Sequence, residues 1–455
     1  MTQNRRRVLT RRQFGRMAMS LGATSTLPGW LRPFTGQAQD AAPGVLVGGA
    51  NSLRAHAEAR GLLYGVAVDP ALLDVEGLAT GETKDRITLL VLTQADILVA
   101  ENAMKWSSLR PTADKFDFSL ADRLMTFAGQ AGKRVRGHNL CWHEALPTWF
   151  KDVANKDNAR QMLEAHIRTV AGRYRGQIHS WDVVNEAVNP ADNRPDGLRN
   201  SPWLELIGSD YVELAFKVAA EADPQAKLVY NEFGIELDTP EQVDKRGQVL
   251  LFVRRLKARA VPIHAVGVQS HLQADGPQSG PGLVKFIQEI AKLGLDVYIT
   301  EMDVNTRNVP GGPDEQDAAV SKVYTSYLGQ VLVQPNVPVL LNWGIASATS
   351  WLNQTNDPQN QRQDGSPQRP LPFDDKLKPT PVFLALRAAL DAAQAAQAPA
   401  VAPPPAAAQP AIPPGPPLVV PTPNVAPPSA PERLYEPFPV KGSPIPQPSP
   451  SGAGD

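Results

Sequence analysis

Six short segments of the chain bring carboxylates, amides, imidazoles and indoles close together in the sequence. These are the side chains that acid–base chemistry and the binding of polar ligands require. Two of the segments, 181–187 (Trp-Asp-Val-Val-Asn-Glu-Ala) and 299–304 (Ile-Thr-Glu-Met-Asp-Val), contain the glutamates Glu186 and Glu301. The other four are 101–106, 138–143, 230–233 and 269–271. A site built from these segments would offer two carboxyl groups for proton transfer, surrounded by groups that bind a ligand with polar edges and apolar faces.

This mixture of side chains suits a carbohydrate. A pyranose ring stacks its apolar C–H face on an indole, and its hydroxyl groups bond to amides, carboxylates and ammonium groups. Cleavage of a glycosidic bond uses two carboxyl groups, one protonated to assist the leaving oxygen and one ionised to attack or to activate water. Glu186 and Glu301 are the candidates for this pair. One glutamate alone is more often solvated or ion-paired, so the neighbouring residues carry the functional interpretation.

The elements that must position these segments follow from a regular alternation of patterns. Runs rich in β-branched and apolar residues begin 31 to 48 residues apart, near positions 62, 97, 134, 179, 227, 265, 296 and 339. Helical periodicity is clearest over 117–133, 158–175, 211–222, 242–259, 283–293, 317–333 and 381–393. Eight strand–helix units in about 340 residues predict an α/β protein with a single (β/α)8 TIM barrel, in which reactive side chains lie at the carboxyl ends of the strands.

A doubly wound open sheet is the structural alternative. Such a sheet usually carries a glycine-rich phosphate loop after its first strand, and the corresponding segment, 64–69, reads Tyr-Gly-Val-Ala-Val-Asp. The strand–helix units also share no repeated signature, which argues against a solenoid or a propeller.

Five of the six segments resemble, in the same order, the motifs of a known family. The two that contain Glu186 and Glu301 look like the two signature motifs of glycoside hydrolase family 10, the endo-β-1,4-xylanases. The resemblance extends over 51–394. It implies endo-acting hydrolysis of xylan or xylo-oligosaccharides by a retaining double displacement, with Glu186 as general acid/base and Glu301 as nucleophile. It implies no cofactor and no metal.

The resemblance also implies roles for the surrounding side chains. Asn185 would bond the sugar 2-hydroxyl, and His271 would lie against Glu301 with Asp303 orienting it. Glycone sugars would be held by Glu101, Asn102 and Lys105. The residues around the cleavage point would be His138, Trp142, His143 and Gln269, below an aromatic wall of Trp343 and Trp351. The tryptophans that we expect to pack against helices instead are Trp106, Trp149, Trp181 and Trp203.

Several positions depart from the family pattern. Ala145 stands where a glutamine is common, and Ser347 stands where an aspartate is frequent. Segment 230–233 is Tyr-Asn-Glu-Phe where Tyr-Asn-Asp-Tyr is usual, so Phe233 keeps a ring without its hydroxyl. None of these positions belongs to the catalytic pair, so activity stays the expectation and subsite affinity is left open. Cys141 replaces a residue that is usually aliphatic, and we interpret it as a small buried hydrophobic side chain rather than a nucleophile.

Composition and charge exclude other classes. The 45 Lys+Arg and 46 Asp+Glu give a formal net charge of -1, which provides no basic field for nucleic acid or an anionic membrane. One cysteine excludes an intramolecular disulfide framework. Neither His-x-His nor His-Glu-x-x-His spacing occurs, so nothing indicates a metal hydrolase. We expect a monomer with no stable membrane insertion in the mature protein.

The two ends of the chain differ from its middle. Six arginines within the first 16 residues, followed by a modest apolar stretch, predict a twin-arginine-type export signal over 1–38, with a basic tail as the alternative. We assign 39–50 to a linker. The remaining 395–455 reads as a disordered Pro/Ala-rich tail, because 20 of the 44 prolines lie from position 399 onward. These features predict a bacterial exported protein, either periplasmic or extracellular.

Two further functions stay open from the sequence. The same barrel and mechanism could act on a β-1,4-glucan or a mixed-linkage glucan. Xylose lacks the C5 hydroxymethyl group of glucose, so the steric closure near Trp343 and Trp351 would discriminate between these substrates. A barrel that only binds polysaccharide is the alternative from a different class, and the presence of both glutamates together with Asn185 argues against it.

Overall fold

The computed structural model describes residues 45–73, 82–354, 358 and 360–396. The predicted export signal over 1–38, positions 39–44 of the predicted linker and positions 397–455 of the predicted tail lie outside these residues. The last helix continues to Ala396 and so includes the first two residues of the predicted tail.

Nine strands form the sheet, and their order in the chain sets the labels used below. They are β1 Leu63–Ala67, β2 Ile97–Val99, β3 Arg134–Cys141, β4 Ser180–Asn185, β5 Lys227–Glu232, β6 Ala265–Val268, β7 His271–Gln273, β8 Asp296–Asn305 and β9 Val339–Asn342. Eight of them close a parallel barrel in the order β1-β2-β3-β4-β5-β6-β8-β9, and β9 pairs back to β1. The predicted (β/α)8 barrel is therefore confirmed, with each predicted strand start within one residue of its observed position.

Helices and short helical turns connect these strands on the outside. The α-helices are α1 Leu53–Glu58, α2 Glu82–Gln94, α3 Trp106–Leu109, α4 Ser119–Ala131, α5 Phe150–Val153, α6 Ala159–Arg173, α7 Pro202–Ile207, α8 Tyr211–Ala222, α9 Pro240–Ala258, α10 Pro281–Lys292, α11 Pro313–Val331, α12 Trp351–Gln354 and α13 Pro381–Ala396. Sequence signals explain several of their starts: Thr239 accepts a hydrogen bond from the Gln242 N–H, and proline occupies the first turn of α7, α9, α10 and α11. No helix within the described residues is both long enough and apolar enough to cross a membrane.

Helix α2 was expected from the count of eight strand–helix units, but it was not among the segments with the clearest helical periodicity. Its central run, Ile-Thr-Leu-Leu-Val-Leu, has the β-branched and apolar composition of a strand. Strands β1 and β2 are parallel neighbours, with Gly65 opposite Ile97, and such a pair needs a crossover connection. The topology therefore decides a helix where local composition favours a strand.

Two apolar cores position the strands. One lies inside the barrel, where Ile97, Val229 and Leu341 pack against Tyr298 and Trp343. The larger core fills the space between the barrel and its helices. Both faces of the sheet are buried, so a strand such as β6 is continuously apolar rather than alternating, and all four of its residues are buried. The polar segments found in the sequence lie in the later parts of the other strands or directly after a strand ends.

Segment 269–271 directly follows the sixth strand. Strand β6 ends at Val268, and the chain turns at Ser270, whose φ is 66°. His271 begins the separate strand β7, which pairs with β8 so that His271 lies opposite Asp303. This break places an imidazole beside the carboxylates of β8.

Candidate active site

The two glutamates lie at the carboxyl ends of β4 and β8. Glu186 follows the last residue of β4 with a φ of 59°, and its N–H donates to the Asn231 carbonyl at 2.9 Å. Glu301 lies within β8, and its N–H donates to the Gln269 carbonyl at 2.9 Å. Both side chains are buried, with 8% of Glu186 and 5% of Glu301 exposed. Barrel closure thus brings together two carboxyl groups that are far apart in the chain.

A continuous chain of amide hydrogen bonds joins the two carboxyl groups. Glu186 Oε1 accepts from Gln269 Nε2 at 2.9 Å and from Asn185 Nδ2 at 3.0 Å. Asn231 Nδ2 donates both to Asn185 Oδ1 at 2.8 Å and to Glu301 Oε1 at 2.7 Å. The hydrogen bonds fix the orientation of the side-chain amides of Asn185 and Asn231. The two glutamates are therefore held in position relative to each other before a ligand binds.

The second oxygen of Glu301 faces His271. The distance from His271 Nε2 to Glu301 Oε2 is 3.3 Å, and Asp303 Oδ1 lies 2.8 Å from His271 Nδ1. Trp351 Nε1 donates to the other oxygen of Asp303 at 2.7 Å. Burial opposes protonation of His271, but its contacts with Asp303 and Glu301 outweigh burial and raise its pKa well above the usual value. These contacts favour the protonated form of His271 between the two carboxylates, and the predicted orientation of His271 by Asp303 stays a prediction.

The pKa values of the two glutamates are shifted in opposite directions. Burial is the largest cause that raises the pKa of Glu186 to about 7, and the charges of Glu232 and Glu301 raise it further. The hydrogen bond from Gln269 lowers this pKa but does not cancel the rise. Burial would also raise the pKa of Glu301, but hydrogen bonds from His271 and Asn231 and the charges of His138 and His271 lower it to about 2. Across the mildly acidic range, the site therefore holds one protonated and one ionised carboxyl group.

Three predicted glycone residues lie together after β2. Lys105 Nζ donates to Asn102 Oδ1 at 2.7 Å, and Asn102 Nδ2 lies 3.4 Å from Glu101 Oε1. Burial first, and then the charge of Asp69, raise the pKa of Glu101 to about 7. Lys105 Nζ also lies 5.2 Å from the ring centroid of Trp142 and 5.8 Å from that of Trp343. These contacts join the polar glycone group to the aromatic part of the site.

The remaining predicted residues form the aromatic part of the site. The ring of Trp343 lies edge-on to His138, with centroids 5.3 Å apart, and Trp351 lies 5.5 Å from the His271 ring. Asp182 contacts the His138 ring, with Asp182 Oδ2 2.9 Å from His138 Nδ1. Trp142 lies beside His138 and His143, with ring centroids 6.2 and 6.1 Å away. All the predicted site residues are thus brought to one end of the barrel.

Sequence reasoning missed several contributors to the site. Asn231, which bridges Asn185 and Glu301, was noticed at the end of the fifth strand but was not assigned to the site. Arg199 Nε donates to the main-chain carbonyl of Glu186 at 2.8 Å, and no motif marked it. Glu232 is buried near Glu186 and pairs with Lys245 Nζ at 2.9 Å. Asn231 and Glu232 could have been assigned from their position at the end of β5, whereas the contacts of Arg199 and Lys245 depend on loop and helix placement.

The residues expected to have packing roles do pack. Trp106, Trp181 and Trp203 are almost fully buried, and the indole N–H of Trp149 donates to the Arg110 carbonyl at 2.9 Å. Cys141 is fully buried, and burial raises the pKa of its thiol, so the interpretation as a hydrophobic side chain is confirmed. The described residues contain no group of three or more His, Cys, Asp or Glu side chains arranged to hold a metal ion.

A closed (β/α)8 barrel that presents one protonated and one ionised carboxyl group beside indoles and amides is an arrangement typical of glycosidases. The sequence profile of glycosyl hydrolase family 10 matches residues 52–389. The chain therefore belongs to glycosyl hydrolase family 10.

Individual relatives agree with this assignment. Endo-1,4-beta-xylanase 3 from Hypocrea jecorina is 33% identical over 325 residues, which cover 71% of this chain and 80% of that protein. Endo-1,4-beta-xylanase C from Paenibacillus barcinonensis is also 33% identical over 71% of this chain, but the match spans only 30% of that protein. Among solved structures, xylanase 10B from Thermotoga petrophila, in complex with xylobiose, superposes with a TM-score of 0.67 at 30% identity over 75% of this chain and 98% of that one.

Proposed function

We propose that this barrel hydrolyses internal β-1,4-xylosidic bonds of xylan with net retention, with Glu186 as general acid/base and Glu301 as nucleophile. The observation that carries this proposal is the opposite shift of the two pKa values, to about 7 for Glu186 and about 2 for Glu301, within one hydrogen-bond chain. Membership of family 10 supports retention, and the endo-1,4-beta-xylanase relatives support the substrate class.

In the first step, Glu301 attacks the anomeric carbon while Glu186 protonates the departing glycosidic oxygen. The bond from carbon to the leaving oxygen breaks, and an ester forms between the sugar and Glu301. His271 and Asn231 keep Glu301 ionised until the attack, because both contact its oxygens in the free enzyme. Asn185 is placed beside the acid, where its amide can bond the sugar 2-hydroxyl as positive charge develops on the ring.

In the second step, Glu186 acts as a base towards water. The charge of Glu301 is one of the causes that raise the pKa of Glu186, and ester formation consumes that charge. The pKa of Glu186 therefore falls once the ester has formed, and its carboxylate accepts a proton from the attacking water. Water replaces the ester oxygen on the same face that the leaving group occupied, which gives net retention, and Glu301 returns to its ionised form.

Product analysis on xylan, carboxymethylcellulose and mixed-linkage β-glucan tests the proposal. Endo action predicts a rapid loss of xylan viscosity and an early mixture of xylo-oligosaccharides, and retention predicts that proton NMR first detects the β-anomer. If either glucan were turned over faster than xylan, the substrate class would be a β-glucan instead of xylan. Initial release of the α-anomer would contradict the roles of both glutamates.

We also propose that the protein is exported through the twin-arginine route. The support is the arginine-rich segment with Arg11 and Arg12 followed by a short apolar stretch and small residues before position 38. Fusing 1–38 to a reporter that is exported only when folded provides the test, with Arg11→Lys/Arg12→Lys as the matched control. Export of the parent fusion with retention of the control supports the proposal, and equal distribution of the two contradicts it.

A further inference from the structure

Glu232 is a buried carboxylate that the two-step reaction does not use. It lies at the end of β5 with 0% of its surface exposed. Its Oε1 accepts from Lys245 Nζ at 2.9 Å and from the Phe233 N–H at 3.1 Å. Its Oε2 accepts from the Tyr230 hydroxyl and from the Val188 N–H at 3.2 Å. Glu232 is thus a buried carboxyl group with four donors, one of which is the ammonium group of Lys245.

Two of the contacts of Glu232 lead directly to the acid/base. Val188, which donates to Glu232, lies two residues after Glu186 and so fixes the segment that carries it. Gln269 donates its side-chain amide to Glu186 at 2.9 Å and its main-chain N–H to the Glu232 carbonyl at 3.0 Å. Glu232 is thus joined to the surroundings of Glu186 by two hydrogen bonds, one from Val188 and one from Gln269.

We propose that the ion pair of Glu232 and Lys245 is a positioning device that controls the proton of Glu186. The proposal rests on the role of Glu186 as acid/base given above. A second buried negative charge makes ionisation of Glu186 more costly and so keeps its proton available for the leaving group. Lys245, on α9, neutralises part of that charge and limits the effect, so the balance between the two partners sets how strongly Glu186 retains its proton.

The electrostatic causes acting on Glu186 agree with this arrangement. After burial, the charge of Glu232 is the largest cause that raises the pKa of Glu186, ahead of the charge of Glu301. Lys245 also contacts the exposed ring of Phe233, with Nζ 3.8 Å from the ring centroid, so its ammonium group has a fixed position.

Other charged groups face Glu186 and must stay unchanged in the test. Glu301 approaches from β8, and Lys105, after β2, interacts with both glutamates. Arg199 bonds the main-chain carbonyl of Glu186. Burial, aided by the charges of Arg199 and Lys245, lowers the pKa of His143 to about 4, so this ring is neutral near pH 7.

The test is the pH profile of kcat/KM for two variants of the pair. Glu232→Gln removes the negative charge and leaves Lys245, so the alkaline limb should move to lower pH by about half a unit or more. Lys245→Met removes the positive charge, so the limb should move to higher pH by a similar amount. Half a unit corresponds to a change of about threefold in kcat/KM on that limb. The matched control is Lys217→Met, which removes a largely exposed partner of Glu213 on α8 and should leave the profile unchanged.

Opposite shifts separate this role from a structural one, because damage to packing lowers activity without moving the limb in opposite directions. Glu232→Asp keeps the charge with one methylene fewer and should return the limb towards its original position. If either single variant fails to fold, the double variant Glu232→Gln/Lys245→Met leaves no unpaired buried ion. Because Glu232 is the partner that contacts the Glu186 segment, the limb of the double variant should still move to lower pH. An unmoved limb in the folded double variant, or shifts of the same sign in both single variants, overturns the proposal.

A second substrate distinguishes this failure from failure of the proposed function. An aryl xylobioside with a dinitrophenolate leaving group needs no proton, so its kcat/KM should lack the alkaline limb that a poorer leaving group shows. If the unmodified enzyme shows the same limb with both substrates, Glu186 is not the acid and the proposed function is wrong. If the limb depends on the leaving group but does not move in the variants, only the role of the Glu232–Lys245 pair is wrong.

Discussion

Replacing Asn231 by aspartate tests whether the amide chain between the glutamates keeps Glu301 ionised. Asn231 Nδ2 donates to Glu301 Oε1 at 2.7 Å and to Asn185 Oδ1 at 2.8 Å. Asn231→Asp has nearly the same shape, but it replaces this donor by an oxygen. An ionised aspartate at this position would also place a second negative charge in contact with Glu301.

The contacts set the size of the expected change. Loss of one hydrogen bond to a charged acceptor costs about 1.5–3 kcal/mol. Since 1.36 kcal/mol corresponds to one pKa unit, this loss alone raises the pKa of Glu301 by about one to two units. Repulsion between the two carboxylates adds to the rise, and the pair then titrates with apparent pKa values that belong to both groups. From about 2 in the unmodified protein, the apparent pKa governing attack should reach roughly 3–4 through the lost hydrogen bond alone, and the repulsion raises it further.

Initial rates on xylohexaose between pH 3 and pH 9 measure the effect. The acid limb of kcat/KM should move up by at least about one unit, and activity at pH 7 should fall about tenfold or more because Asn185 also loses its donor. Asn155→Asp is the matched control, since Asn155 is exposed and its Oδ1 accepts from the Asp157 N–H, as an aspartate oxygen also can. If folded Asn231→Asp, checked by circular dichroism, keeps the acid limb of the unmodified enzyme, Asn231 does not hold Glu301 ionised.

Three further outcomes follow from the site and the chain. Glu186→Ala should retain a burst on activated aryl glycosides and should form the β-glycosyl azide when azide is added. Glu301→Ala should lose turnover and form at most the α-glycosyl azide. If the two variants gave the opposite azide anomers, the roles of Glu186 and Glu301 would have to be exchanged. Because the pKa of Glu186 is raised from 4.5 to about 7, ionisation of Glu186 destabilises the folded protein above about pH 4.5, and the destabilisation is complete above about pH 7. A pKa difference of about 2.5 corresponds to about 3 kcal/mol, so in thermal melts Glu186→Gln should be about 3 kcal/mol more stable than the unmodified protein at pH 8 and equally stable at pH 4. Truncation after Gln394 should leave melting temperature and turnover on soluble substrate nearly unchanged, and a large drop in either would show that the proline-rich segment stabilises the barrel.

Local patterns were sufficient for the elements that carry the site. The helical pattern over 211–222 matches Tyr211–Ala222, because an amphipathic helix is specified by its own periodicity. The strand that begins at 227 is likewise specified by a short apolar run. Where topology overrides composition, as in Glu82–Gln94, the helical pattern was not among the clearest in the sequence.

The candidate site shows the same division. Glu186, Glu301 and their motif neighbours could be assigned from residue types and order alone, since each lies next to a recognisable strand end. The bridging role of Asn231 could not be assigned, because its partner Glu301 is 70 residues away in the chain. The pairing of Glu232 with Lys245 likewise depends on how α9 packs against the end of β5.

The sequence by itself therefore determined the barrel and the order of its strands, and it pointed to Glu186 and Glu301 as the candidate pair, because these depend on periodicity and on residues adjacent in the chain. Only the tertiary structure shows the physical cause of the difference between the pKa values of the two groups. That difference arises from burial and from the charges of His271, His138 and Glu232, which barrel closure and strand register bring within reach of Glu186 or Glu301. Proton affinity depends on distances through space, and no local pattern in the chain specifies those distances.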